Sequence, residues 1–145
     1  MKRTSPRLAV ALLGALAAGV VYAGVALTSH PSSAGSGFEA HTSDASGVRV
    51  VVTPRPIAAG DKWEFEVAMD THVKPLAEDL AAVSVLVDDN GQRSLPTAWL
   101  GDPPGGHHRK GVLQFAAPAT PPKSFELQLT NVGGAALRTF RWEMK

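Results

Sequence analysis

Three histidines and two aspartates hold most of the chemistry available to this sequence. His72 follows Asp70 and Thr71. His107 and His108 stand together after Gly105 and Gly106 and before Arg109, with Asp102 a short way upstream. Neutral imidazole is a good ligand for copper, zinc and nickel. His72 with one or both of His107 and His108 would supply two or three nitrogens, and Asp70 or Asp102 an oxygen. The sequence thus nominates a copper or zinc site at His72, His107 and His108. Strand geometry limits it, because neighbouring residues of a regular strand point to opposite faces. His107 and His108 can share an ion only where the glycines bend the backbone. In the competing reading, one of the pair packs under Trp99 and bonds a loop carbonyl while the other is solvated. A polar or peptide ligand is the third.

Other chemistries find less support. The chain has no cysteine, which excludes disulfides, thiolate metal sites, a cysteine nucleophile and blue copper, which needs a Cys ligand. Ser84, Ser94 and Ser124 sit in no GxSxG pattern, and HExxH does not occur. Glu78-Asp79 and Asp88-Asp89 lack the spacing of a calcium loop. The expectation is a non-catalytic domain with no cofactor beyond that copper or zinc. Trp63, Trp99 and Trp142 are expected in the core rather than on a sugar- or peptide-binding surface.

Residues 8–27 govern where this chemistry takes place. From Leu8 to Leu27 no residue is charged, and Lys2, Arg3 and Arg7 precede the run. At about 1.5 Å per residue a helix of this length spans roughly 30 Å, the thickness of a bilayer core. Positive charges before such a run hold that end in the cytoplasm. Residues 1–28 are therefore read as a transmembrane anchor, or as a signal peptide with Val21-Tyr22-Ala23 as a cleavage pattern. Either way the remainder lies outside the cytoplasm, in the cell envelope or secreted. The overall charge of +1 conceals a split. The first 28 residues contribute +3 and the rest −2, so the soluble part has no electrostatic footprint for nucleic acid. The expected partners are the membrane, through residues 8–27 if uncleaved, and an envelope protein.

Residues 29–47, rich in Ser, Gly and Ala, read as a flexible tether that includes His30 and His41. Residues 48–145 read as one all-β domain. Val48, Val50 and Val52 alternate with other residues, as do Trp63, Phe65, Val67 and Met69. Val83, Val85 and Val87 end at Asp88-Asp89-Asn90-Gly91, where Asn-Gly suits a tight hairpin. Further runs carry Leu113 and Phe115, then Phe125, Leu127 and Leu129, then Arg138, Phe140 and Trp142. One two-turn helix is conceivable over Pro75 to Ala82. About seven short strands broken by Pro and Gly suggest an immunoglobulin-like β-sandwich. Glu64 and Glu66 share an outer face, where Arg138 and Arg141 could pair with them across strands.

One longer pattern stands out: Asp70-Thr71-His72, then Asp79-Leu80, then Pro96 and Trp99-x-Gly101, then GGHHRKGVLQF from Gly105, closing on Arg138-x-Phe140-x-Trp142. It resembles a type of small exported prokaryotic domain over roughly residues 48–143. The resemblance supports the exported β-sandwich and marks the histidine segments for attention; that the domain binds a ligand or partner through its loop end is expected from the loops themselves, where such folds keep their function. The resemblance implies no mechanism.

Overall fold

The computed structural model describes residues 37–57, 60 and 62–145. The apolar segment 8–27 and the tether before residue 37 lie outside the described residues. Nine strands form two antiparallel sheets. In the first, β1 (His41–Ala45), β2 (Val48–Pro54), β3 (Trp63–Thr71), β7 (His108–Phe115) and β6 (Ala98–Gly101) lie side by side in that order. In the second the order is β5 (Arg93–Ser94), β4 (Ser84–Asp88), β8 (Ser124–Thr130) and β9 (Leu137–Glu143). A single-turn helix, α1 (Leu80–Val83), leads into β4, capped by Asp79, whose carboxylate accepts from the Ala81 N–H at 3.0 Å.

The two-residue period places the core. β3 turns Trp63, Phe65, Val67 and Met69 inward and leaves Glu66, Ala68 and Asp70 outside. β8 does the same with Phe125, Leu127 and Leu129. Aromatic rings fill the space between the sheets: Trp63 of β3 meets Phe125 of β8 edge-on at 5.0 Å across it, and within the second sheet Phe125 stacks on Trp142 at 5.5 Å. Such pairs contribute about 0.5–1.5 kcal/mol each beyond the area they bury.

Three expectations need correction. The first is the domain boundary, and with it the strand count. Residues 41–45 are not tether but strand β1, paired with β2 from His41↔Val52 to Ala45↔Val48. Polar HTSDA is a poor strand by composition, but its partners hold it. His41 stacks on Trp142 at 4.8 Å, Phe38 meets Phe125 edge-on at 5.3 Å, and Trp142 Nε1 donates to Glu39 O at 2.8 Å. Ser46 and Gly47, both at positive φ, make the two-residue turn into β2. β1 and the two-residue β5 bring the strands to nine rather than about seven. The second correction is the Asn90-Gly91 turn. Only Gly91 takes positive φ there, and the Asp88 carboxylate closes the turn by accepting from the Asn90 and Gln92 N–H groups.

The third concerns the arginines. Arg55, not Arg138 or Arg141, pairs with Glu64 at 2.8 Å and Glu66 at 2.9 Å. Arg141 instead pairs with Glu143 and donates to Ser124 Oγ. Arg138 shares the inward parity of Phe140 and Trp142 and is 2% exposed. Its guanidinium donates to Val132 O, Ser43 O, Ser43 Oγ and Ala45 O at 2.9–3.1 Å. Burial pushes its pKa below the ordinary arginine value, and the nearby charges of Asp44 and Glu78 partly offset this. The result is a tie between β9 and β1 that joins the edges of the two sheets.

Candidate functional site

Strand register brings four connections to one end of the sandwich. Val48 lies opposite Thr71, Asp70 opposite His108, Ser84 opposite Leu129, and Leu137 opposite Thr130. The turn at Ser46-Gly47 and residues 72–79, 102–107 and 131–136 therefore gather there. All the histidine candidates lie at this end.

Most of the Gly105–Arg109 segment is scaffolding. Gly105 and Gly106 take positive φ, a conformation that favours glycine. In it the Gly105 N–H donates to Leu76 O at 2.7 Å and Gly106 O accepts from the Leu76 N–H at 2.9 Å. Leu76 is thereby fixed in the core. Arg109 turns inward and is 2% exposed. It donates to Leu76 O, Glu78 O and Asp102 O at 2.8–3.2 Å, and its guanidinium lies 5.7 Å from the centre of the Trp99 ring. Trp99 is half-buried and lies against Gly101 and Gly111, where a β-carbon on either would come within 2.7 Å of the ring. Its indole N–H donates to Asp102 O at 2.9 Å. The loop end is thus tied to the sheet by one cation, one indole and a paired glycine bridge.

The histidines themselves divide. His108 opens β7 on the outer face, and its Nδ1 sits 2.5 Å from Asp70 Oδ1. The carboxylate can only accept, so Nδ1 carries the proton and Nε2 is left free. His72, just past the end of β3, is exposed, with its ring 6.4 Å from that of His108. His107 contributes its carbonyl, which accepts from the Thr71 N–H at 2.9 Å, while its side chain is exposed. Among the described residues no three His, Asp or Glu side chains converge to hold a metal ion. Two imidazoles on one ion, with metal–nitrogen bonds near 2 Å, would bring their ring centres to about 5 Å at a tetrahedral angle and about 4.5 Å at the right angle of a tetragonal copper site. As placed, His72 and His108 are more than an ångström beyond either, and His107 and His108 are both exposed rather than packed under Trp99, whose ring lies against Gly101, Gly111 and Arg109.

The outer face of the first sheet carries a surface the sequence reading passed over. Val51, Ala68, Val112 and Leu100 form the floor of a groove of about 440 Å³, with Arg55, Glu66, Asp102 and Lys110 at its rim. Leu100 is 55% exposed. At the Arg55 end, hydrogen bonds from Gln114 and then Arg55 hold the Glu64 carboxyl below its usual range. At the other end the groove adjoins the cleft lined by Asp70, His108 and Lys110. The available signal was strand parity: these apolar residues alternate out of phase with the core positions of their own strands. Among the described residues no helix is long and apolar enough to cross a membrane.

No family model matches this chain, and no curated protein does. Among solved structures, the chain is similar to MPT63, a secreted protein of Mycobacterium tuberculosis. The two share 13% identity at a TM-score of 0.44, covering 73% of this chain and 92% of that one.

Proposed function

We propose that the chain is a non-catalytic recognition domain of immunoglobulin-like topology. In this reading residues 8–27 carry it outside the cytoplasm. It binds an envelope protein through its loop end and the adjoining outer face of the five-stranded sheet. The topology is supported by strand order. With β1 set aside as an added edge strand, β2-β3-β7-β6 and β5-β4-β8-β9 follow the A-B-E-D and C′-C-F-G pattern of that fold. Export is supported by the uncharged run behind three basic residues.

The observation that carries the binding reading is the groove over Val51, Ala68, Val112 and Leu100. A solvated sheet face needs no apolar floor, whereas a partner-binding patch combines an apolar centre with a polar rim. Site-specific photocrosslinking in cells that make the full chain tests the reading. Crosslinkers at Ala68 and Leu100 should give one discrete protein adduct, and one at Thr139 on the other sheet should give none. Equal adducts from all three positions, or none from Ala68 and Leu100, would refute the reading.

A further inference from the structure

We propose that His72 and His108 form a two-nitrogen site for divalent copper, with Asp70 as its positioning residue and His107 outside it. His108 opens β7, and His72 lies just past the end of the neighbouring antiparallel β3, with the two rings 6.4 Å apart. Asp70 stands opposite His108 in the register and accepts from its Nδ1. A carboxylate behind a ligand histidine fixes the tautomer, steadies the ring and raises the basicity of the remaining nitrogen. Asp70 stands behind His108 in that way, which leaves Nε2 as the ring nitrogen without a hydrogen-bond partner among the described residues. Neither nitrogen of His72 is hydrogen-bonded to another described residue, so both are available.

Asp70 holds the His108 ring, so closing the remaining distance falls to His72, which is exposed, beside a His108 side chain that is 72% exposed. His107 is left out because the histidine ring contact among the described residues is that of His72 with His108. The ligand count selects the metal. With two imidazoles and no converging third side chain, the ion that gains most per nitrogen is favoured, and copper heads the divalent series. The remaining positions would be filled by water, open to an incoming ligand. The site borders the groove but shares none of its floor residues, so copper binding and crosslinking at Ala68 and Leu100 can fail separately.

The test is titration of the full chain with copper(II) chloride in a non-coordinating buffer, followed by calorimetry and electron paramagnetic resonance. His72→Ala with His108→Ala in one chain sets the background from His30, His41 and the N-terminus. Wild type should bind one further equivalent with nitrogen hyperfine structure. His72→Ala and His108→Ala should each weaken that binding at least tenfold, and His107→Ala should change it less than twofold. Asp70→Asn should weaken it roughly 10–100-fold with the melting temperature nearly unchanged. The proposal is overturned if the double variant binds as wild type does, or if His107→Ala weakens binding as much as His108→Ala. Unchanged affinity in Asp70→Asn would remove the positioning role.

Discussion

Replacing Arg109 by methionine should destabilise the domain by about 2–4 kcal/mol, with the loss centred on the loop end. The side chain makes three charge-assisted hydrogen bonds, to Leu76 O, Glu78 O and Asp102 O. Each such bond contributes about 1.5–3 kcal/mol. Two of the acceptors keep another donor after the change. Leu76 O still has the Gly105 N–H at 2.7 Å, and Asp102 O still has the Trp99 indole at 2.9 Å. Glu78 O has no second donor among the described residues, and leaving it bare costs about 1–3 kcal/mol. Loss of the cation from the Trp99 face removes about 1 kcal/mol more. Against this, the substitution removes a buried charge whose Nε has no partner, which relieves several kcal/mol of desolvation. Set against gross losses of about 6.5–13 kcal/mol, that relief and the acceptors' remaining donors bring the net down to about 2–4 kcal/mol. At about 4–8 °C per kcal/mol for a domain of this size, it corresponds to a fall in Tm of roughly 10–25 °C. Arg109→Lys should do no better, because an ammonium cannot span three carbonyls as a planar fork does. Urea denaturation of the full chain gives the total, and hydrogen exchange locates it at the Leu76 and Gly105 amides. A loss below about 1 kcal/mol with both amides still protected would refute the argument. So would full stability in the lysine variant.

Other expectations follow from the same packing. Trp63→Ala should cost about 3–5 kcal/mol in chemical denaturation, as for a large core aromatic. Gly111→Ala should cost about 1–3 kcal/mol, because its β-carbon would lie 2.5 Å from the Gly101 Cα and 2.7 Å from the Trp99 ring; a fall in near-ultraviolet circular dichroism would show the ring displaced. Arg138→Met should free β1 from β9, and proteolysis should then cut within residues 38–47 at least tenfold faster than in wild type. Glu64→Gln tests the surface pair. Because the folded pKa of Glu64 is depressed, its contribution is present above the ordinary value of 4.5 and is lost as pH falls through the folded value. The variant should lose under about 1 kcal/mol at pH 7, and its melting temperature should converge on that of wild type in strong acid.

The strands were legible where alternation is strict. Trp63, Phe65, Val67 and Met69 are inward as their spacing required. β1 was not legible, because its hold lies in its partners: the pairing to β2 and the Trp142 ring, neither of which composition encodes. The arginines show a different limit. Arg138 keeps step with Phe140 and Trp142, so parity had already placed it inside, and a charge was read as surface against that signal. Buried charge is costly unless several acceptors converge, and which carbonyls converge is decided only when the loops fold. The histidine candidates were half legible. Asp70 and His108 are 38 positions apart in sequence, and only the strand register brings them opposite one another. The groove escaped because Val51, Ala68, Val112 and Leu100 lie on four strands.

Both buried guanidinium groups are held by backbone carbonyls rather than by carboxylate ion pairs. A carbonyl keeps its lone pairs through the whole pH range in which carboxylates and imidazoles change charge. Nor does dissolved salt screen a buried contact as it does a surface pair. The stitch from β9 to β1 and the stitch across the loop end should therefore depend little on acid or brine, whereas an exposed ion pair such as that of Arg55 with Glu64 should respond to both. For a domain proposed to work where the cell does not set the medium, the contacts that keep its shape are ones that the medium cannot titrate.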